Sequence, residues 1–340
     1  MRFGLGPLTI DPANDKQHVD VYEEALEQAE FAENWGFDSV WVGEEYFNSR
    51  HLNSSSAVVG AAVAQRTSYA RVGVMPTLGL SHAIYLAEEI ACIDNLANGR
   101  VIVAAQAPSE PAARGWNLAA EDVRPRVLDD LRVMAMAWAP SSFSYESDYY
   151  KIPGRNPVHV EAVDYHEITV QPKPAQLDMP VWMFGGEEAA AIASEAGVTF
   201  CAAPWLDLQQ AAALYGEAER GPGVVPIARE VLIARTSELA RELAEPLLGQ
   251  LYDAYHEQGV ADVPSDFEAL ARDRFIIGGP DDCIEQIRRC KDELGINYMI
   301  VRLVYSGMPH GDSIEAVQLF GTRVVPAFRM YGIAPEILQS

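Results

Sequence analysis

Basic residues are scarce in this chain. Lysine and arginine number 25 against 49 aspartates and glutamates in 340 residues, a formal net charge of -24. So acidic a surface excludes nucleic acid, whose phosphates need a basic face, and docking on anionic lipid. The acidity is spread along the chain, as on a soluble surface that repels its own copies. Cysteine is scarcer still. Cys92, Cys201, Cys283 and Cys290 show no CxxC spacing and no neighbouring histidine at ligand spacing, so they read as reduced, mostly buried thiols rather than a metal site. HExxH, GxSxG, GxGxxG and GxxxxGK[ST] are all missing, which removes the usual signs of a zinc peptidase, a serine hydrolase and a nucleotide-phosphate turn. No apolar run has the length of a membrane span. The opening MRFGLGPLTI has no basic region followed by a long apolar stretch, so a signal peptide is not expected and a cytoplasmic location is.

What is present is a regular alternation of short apolar runs and longer amphipathic ones, in a chain that is 49% hydrophobic. Strands are expected at Phe3 to Leu5, Ser39 to Val42, Arg71 to Met75, Val101 to Ala105, Val181 to Phe184, Thr199 to Ala202, Val225 to Ala234 and Tyr298 to Leu303. Helices follow them at Tyr22 to Trp35, Ser55 to Arg66, Ala83 to Leu96, Val123 to Trp138, Glu187 to Ala196, Leu208 to Ala218, Ser237 to Tyr255 and Ser313 to Phe328. A short strand at Phe275 to Ile277 and an extra helix at Pro280 to Leu294 precede the last unit. Eight β-then-α units with right-handed crossovers are the number that closes a (β/α)8 TIM-type barrel. An open doubly wound sheet is the alternative, weakened by the missing glycine-rich turn. The chain therefore reads as one α/β domain over 1–340, with insertions at about 139–179 and 256–296; the first holds room for a small hairpin. In such a barrel chemistry sits where strands end and helices begin.

Several of these segments resemble the bacterial-luciferase-like monooxygenase family. AEFAENWGFDSVWVGEEYF resembles its first helix and second strand, and HAIYLAEEIACIDNLANGR its third helix. ITVQPKPAQLDMPVWMFGG resembles the run-up to strand five. GGPDDCIEQIRRCKDELGINYMIVRL, followed by GMPH and LFGTRVVPAFR, resembles its C-terminal signature. The resemblance implies an oxidoreductase holding reduced FMN or a deazaflavin coenzyme at the barrel mouth, where the cofactor carries the organic chemistry.

The resemblance also points to residues. Glu44 matches the family's glutamate after strand two, Glu45 stands where a catalytic-type histidine is usual, and Tyr46 comes next. Adjacent carboxylates repel, and burial would raise one toward neutrality, which suits Glu45 to general acid or base work. The plainer reading is that Glu44 ties down backbone and Glu45 is solvated. Met75-Pro76 ends strand three, where many members carry a cis peptide bulging against the flavin; a proline makes cis cheap, and cis is expected here. Gln106 ends strand four, followed by Ala107 where an arginine often holds the flavin phosphate. The strand-five loop GGEEAAAI lacks the serine often used for the same purpose, and its glutamates suit a helix dipole but repel phosphate. Ser109, Arg114 or the Gly185 and Gly186 amides are the substitutes on offer. His82, before the third helix, is expected to touch flavin or substrate, unless it merely caps the helix. Trp205 after strand six is expected to line a substrate pocket. Arg302 on the last strand is expected to reach the mouth or pair with a core carboxylate, and Trp182 to lie in the core. No metal site is expected.

The function expected is a monooxygenase acting on a small organic molecule with reduced FMN and O2. A separate reductase supplies the flavin, since no NAD-binding signature is present, and a homodimer is implied by the resemblance. The alternatives are a deazaflavin-dependent hydride-transfer enzyme, and a non-catalytic homologue or partner subunit that has lost flavin.

Overall fold

Each barrel strand is a short run of β-branched and small apolar residues, the pattern of strands covered on both faces. The computed structural model describes residues 1–11, 16–48, 51–154, 166–217, 223–257 and 263–329. Its strands are β1 (Arg2–Leu5), β2 (Ser39–Gly43), β3 (Arg71–Met75), β4 (Val101–Ala105), β5 (Tyr145–Glu146), β6 (Lys151–Ile152), β7 (Val181–Gly185), β8 (Thr199–Ala202), β9 (Pro226–Ile233), β10 (Ile276–Gly278) and β11 (Tyr298–Arg302). Its helices are α1 (His18–Asn34), α2 (Ser56–Arg66), α3 (Ala83–Leu96), α4 (Glu110–Gly115), α5 (Ala120–Trp138), α6 (Glu187–Ala196), α7 (Leu208–Glu217), α8 (Ser237–Ala244), α9 (Gln250–Glu257), α10 (Phe267–Ala271), α11 (Pro280–Leu294) and α12 (His310–Leu319).

Strands β1, β2, β3, β4, β7, β8, β9 and β11 pair in parallel, in that order. Ala202 opposite Ile227 joins β8 to β9, and Arg2 opposite Tyr298 joins β11 to β1, so the sheet closes. This is the expected (β/α)8 barrel, with its core between sheet and helices. The hairpin β5–β6 is the one the first insertion left room for. Its flanks are pinned by reciprocal 2.9 Å bonds between Phe143 and Ile168. Residues 155–165 of that insertion, and 258–262 of the second, lie outside the described residues.

Several elements depart from expectation, and three of them bear on the mouth. The helix expected from Ser237 to Tyr255 is interrupted by a π-turn at Glu245–Gly249, where Pro246 supplies no N–H to the ladder. The upper half of β9 leaves the barrel and pairs with β10, Ile276 opposite Val231. Helix α4 was not expected; it is six residues long, capped by Ser109 and started by Pro111. No helix among the described residues is long and apolar enough to cross a membrane.

The barrel interior is filled by aromatic rings. Trp41 stacks on Trp182 at 5.0 Å, and Tyr298 meets their edges at 6.3 and 5.1 Å. Ser39 Oγ accepts from Trp41 Nε1 at 2.7 Å and from the Tyr298 hydroxyl at 2.6 Å, so both buried polar tips are satisfied. The neighbouring strands make room with glycine: a Cβ at Gly4 or Gly73 would lie 2.3 or 2.2 Å from Trp41 atoms. Two residues further along the strands the inward positions become Gly43, Met75, Phe184, Glu230 and Arg302, all of which line a cavity. The aromatic plug is thus the floor on which the mouth is built.

Candidate active site at the barrel mouth

The cavity has a volume of about 490 Å³, within the usual range for small-molecule sites. Its lower wall is apolar, with Met75, Phe184, Ala228 and Trp205. Trp205 stands edge-on to Phe184 at 5.8 Å and to Tyr255 at 6.1 Å. Around this wall the loops after each strand bring in polar side chains, as the barrel geometry requires.

Glu44 organises one side. Its Oε1 accepts from the Thr77 backbone N–H at 2.7 Å and the Tyr46 hydroxyl at 3.0 Å. Its Oε2 accepts from Ser56 N at 2.7 Å and Ser56 Oγ at 2.8 Å. Four donors use every lone pair of the carboxylate, so Glu44 ties β2 to the β3 loop and to the start of α2. Burial, and after it the Glu44 charge, pushes the Tyr46 hydroxyl above the ordinary tyrosine range. Gln106 adds a second tie, its amide donating to the Glu44 carbonyl at 2.9 Å and Thr77 Oγ1 at 3.1 Å.

Glu45 also lines the cavity, and its side chain has no hydrogen-bond partner among the described residues. Its backbone is held by the Asn53 carbonyl at 3.0 Å. His51 lines the cavity nearby, and its Nδ1 accepts from Asn53 N at 3.3 Å. That bond assigns the proton of the neutral ring to Nε2. Burial lowers the His51 pKa, and Arg302 lowers it further against the opposing charge of Glu45.

The opposite side is a buried polar cluster. Glu230 and Arg302 face each other in register on β9 and β11. Glu230 is wholly buried, and its Oε1 lies 3.5 Å from Arg302 Nη1. The same Nη1 donates to the Tyr255 hydroxyl at 3.0 Å. Tyr255 comes from α9, and its own proton has no acceptor among the described residues. Burial raises the Glu230 pKa, opposed by Arg302. Burial also works against the Arg302 charge, but Glu230 and Tyr255 outweigh it and hold the guanidinium above its ordinary range. Tyr305 braces the pair, donating to the Val231 carbonyl at 3.1 Å and accepting from Val231 N at 2.9 Å.

The structure therefore brings together Glu44, Glu45, Tyr46, Met75, Gln106, Ser109, Gly185, Gly186, Trp205 and Arg302 in one cavity. Arg302 meets both halves of its expectation, reaching the mouth while pairing with a buried carboxylate. Trp182 lies in the core as expected, 3% exposed. Three expectations are corrected. The Met75-Pro76 peptide is trans, the cis bonds of the described chain being Gly6-Pro7, Ile152-Pro153 and Gln171-Pro172. Pro76 does not line the cavity; its carbonyl accepts from Gln106 N at 2.9 Å and continues the sheet instead. His82 lies outside the lining, exposed, with Nδ1 accepting from Ile84 N at 3.2 Å; it is a helix cap, which places it away from any ligand in the cavity. Arg114 is exposed and paired with Glu110. Three of the four cysteines are buried thiols, and no cluster able to hold a metal exists among the described residues.

Tyr255 and Glu230 were not singled out from the sequence as site residues, and His51, legible as a residue in or near a mouth loop, had no role assigned. Glu230 had a signal: an Arg-Glu pair in the middle of the otherwise apolar strand PIAREVLI. Tyr255 had none, because the π-turn that aims α9 at the mouth has no periodic signature.

The apolar lower wall and the ring of aromatic edges suit a flat heteroaromatic ligand. Sequence relatives and solved structures resemble the chain over most of its length. An F420-dependent glucose-6-phosphate dehydrogenase of Amycolatopsis mediterranei is 26% identical over 338 residues, 90% of this chain and 95% of the relative. Monooxygenase RslO1 from Streptomyces bottropensis superposes with a TM-score of 0.83 at 20% identity, covering 96% of this chain and 99% of its own. The oxygenating constituent of 3,6-diketocamphane monooxygenase from Pseudomonas putida, solved in complex with FMN, gives 0.75 at 18% identity, covering 96% and 98%. The family model described as luciferase-like monooxygenase matches residues 1–298, the barrel up to the start of β11, and the chain belongs to that family of oxidoreductases.

Proposed function

We propose that this chain is a flavin-dependent monooxygenase that oxygenates a small, largely apolar organic molecule using reduced FMN and O2. The observation that carries the reading is the cavity itself, with an apolar lower wall, a carboxylate on one side that has no hydrogen-bond partner among the described residues, and a paired tyrosine hydroxyl on the other. The flavin, when bound, supplies the electrons that activate oxygen. Everything else falls to the protein. Met75, Phe184 and Trp205 exclude water from the reacting face. The Tyr255 hydroxyl, oriented by Arg302, donates to an oxygen of the substrate and stabilises charge developing there. Glu45, which lines the cavity, takes up or returns a proton, and neutral His51 offers its Nε2–H beside it. Glu44, Gln106 and Thr77 hold the strand ends in place. The reading includes a separate reductase, a homodimer and a cytoplasmic location.

A deazaflavin-dependent hydride transfer is the second reading, favoured by the similarity to the Amycolatopsis dehydrogenase. Anaerobic titration with reduced FMN and, separately, with a reduced deazaflavin coenzyme decides between them. Saturable binding of reduced FMN supports the monooxygenase reading. Binding of the deazaflavin alone replaces it with the second, and binding of neither removes both.

A further inference from the structure

The charges that reach the cavity are unbalanced. Among the described residues, Asp11, Glu44, Glu45, Glu110 and Glu188 contribute to its lining, together with the buried Glu230. Against them stand two guanidinium residues, and neither offers its charge to the cavity. Arg302 is committed to Glu230 and Tyr255. Arg229 lies between the inward residues Ala228 and Glu230, so its side chain leaves on the outer face of β9. There it is 1% exposed, with Nη1 on the Ala228 carbonyl at 3.1 Å.

The helix starts at the mouth do not repair this. The first turn of α6 has no side-chain cap, and its free amides would suit an anion. That turn carries Glu187 and Glu188, and Glu188 lines the cavity. The first turn of α4 is capped by Ser109 and carries Glu110, which also lines the cavity. The cations beside these carboxylates point at them rather than at the cavity, Arg114 to Glu110 and Arg124 to Glu188 at 3.5 Å. Among the described residues, a phosphomonoester with nearly two negative charges meets carboxylates here and no cation that is not already paired.

We infer that the site recognises the ring system and polyol chain of its flavin and gains nothing from the terminal phosphate, so that riboflavin binds on equal terms with FMN. The inference rests on the flavin reading above. It also explains how loops holding Ala107 and two glutamates can belong to a flavin site.

The test compares dissociation constants of reduced riboflavin and reduced FMN, titrated anaerobically into the full chain and read by quenching of protein fluorescence. The expected ratio is within about threefold, where a guanidinium clamp on phosphate gives about tenfold or more. Raising the salt concentration should tighten FMN binding by screening the carboxylates, and leave riboflavin unmoved. The double variant Glu110→Gln, Glu188→Gln should tighten FMN several-fold and leave riboflavin where it was. FMN binding tighter than riboflavin by more than about threefold, or loosening as salt rises, overturns the inference and keeps the flavin reading. No saturable binding of either flavin overturns the flavin reading itself.

Discussion

The Tyr255 hydroxyl accepts a hydrogen bond from Arg302 Nη1 at 3.0 Å, while the same nitrogen lies 3.5 Å from Glu230. Helix α9, at the edge of the second insertion, and two barrel strands thereby share one polar node at the cavity wall. Among the described residues nothing accepts the tyrosine proton, which leaves it for a ligand.

Tyr255→Phe keeps the ring against Trp205 and removes only the hydroxyl. We expect turnover to fall about 10²-fold, the scale of losing one preorganised donor. Binding of reduced flavin should stay within about twofold, since the hydroxyl is assigned to the substrate. Steady-state kinetics beside an anaerobic flavin titration separates the two effects.

Glu230→Gln removes the carboxylate that neutralises Arg302. A buried guanidinium left without its partner should cost about 3 kcal/mol of folding stability. Adding Arg302→Met removes the stranded charge, so the double variant should be more stable than Glu230→Gln alone. Chemical denaturation of the three proteins measures this.

Glu45→Gln should slow turnover by about 10²-fold with the melting temperature unchanged within experimental scatter. It should also lower the His51 pKa further, because the Glu45 charge is what opposes burial and Arg302 at that ring. Following the His51 ring resonances by NMR through a pH titration reads the second effect independently of any substrate.

Gly73→Ala tests the barrel floor. The added carbon would lie 2.2 Å from the Trp41 ring, with the strand on one side and Trp182 stacked on the other. Overpacking in so closed a space should destabilise by about 3 kcal/mol. A thermal shift too small to measure would contradict the description of the plug.

Asp130 carries a pH signature. Burial raises its pKa to about 6, although the Tyr150 hydroxyl and the Gly79 N–H both donate to it. The folded state therefore keeps a proton that the unfolded chain loses near pH 4. Stability from this group is present at low pH and falls as pH rises through the window up to about 6, by at most about 3 kcal/mol. Glu33 and Asp282, whose pKa values are lowered, run in the opposite direction. The comparison must therefore be made against Asp130→Asn: the variant should lack this downward component between pH 4 and 6 in urea denaturation.

The barrel was legible because its signals are local. Apolar runs such as SVWVG and VIVAA mark strands buried on both faces, and Gly36 and Asn98-Gly99 mark helix ends. Strand order then follows from the handedness and closure rules. The mouth positions followed from the barrel, which is why most expected site residues share one cavity. What was not legible is a choice between two local outcomes or a contact between distant segments. His82 became a cap because its own following turn offered an N–H within reach. Met75-Pro76 is trans although its sequence permits either isomer. The Glu230–Arg302–Tyr255 node joins segments 25 to 72 residues apart, and only the register of β9 on β11 brings two of them face to face.

The most direct test of the central claim is stopped-flow reoxidation of reduced FMN. The flavin is equilibrated anaerobically with increasing amounts of the protein and mixed with oxygenated buffer. The account predicts that bound flavin returns to the oxidised form at a rate distinct from free flavin, that the change saturates with protein concentration, and that Tyr255→Phe and Glu45→Gln retain the binding. Reoxidation identical to that of free flavin at every protein concentration would contradict it.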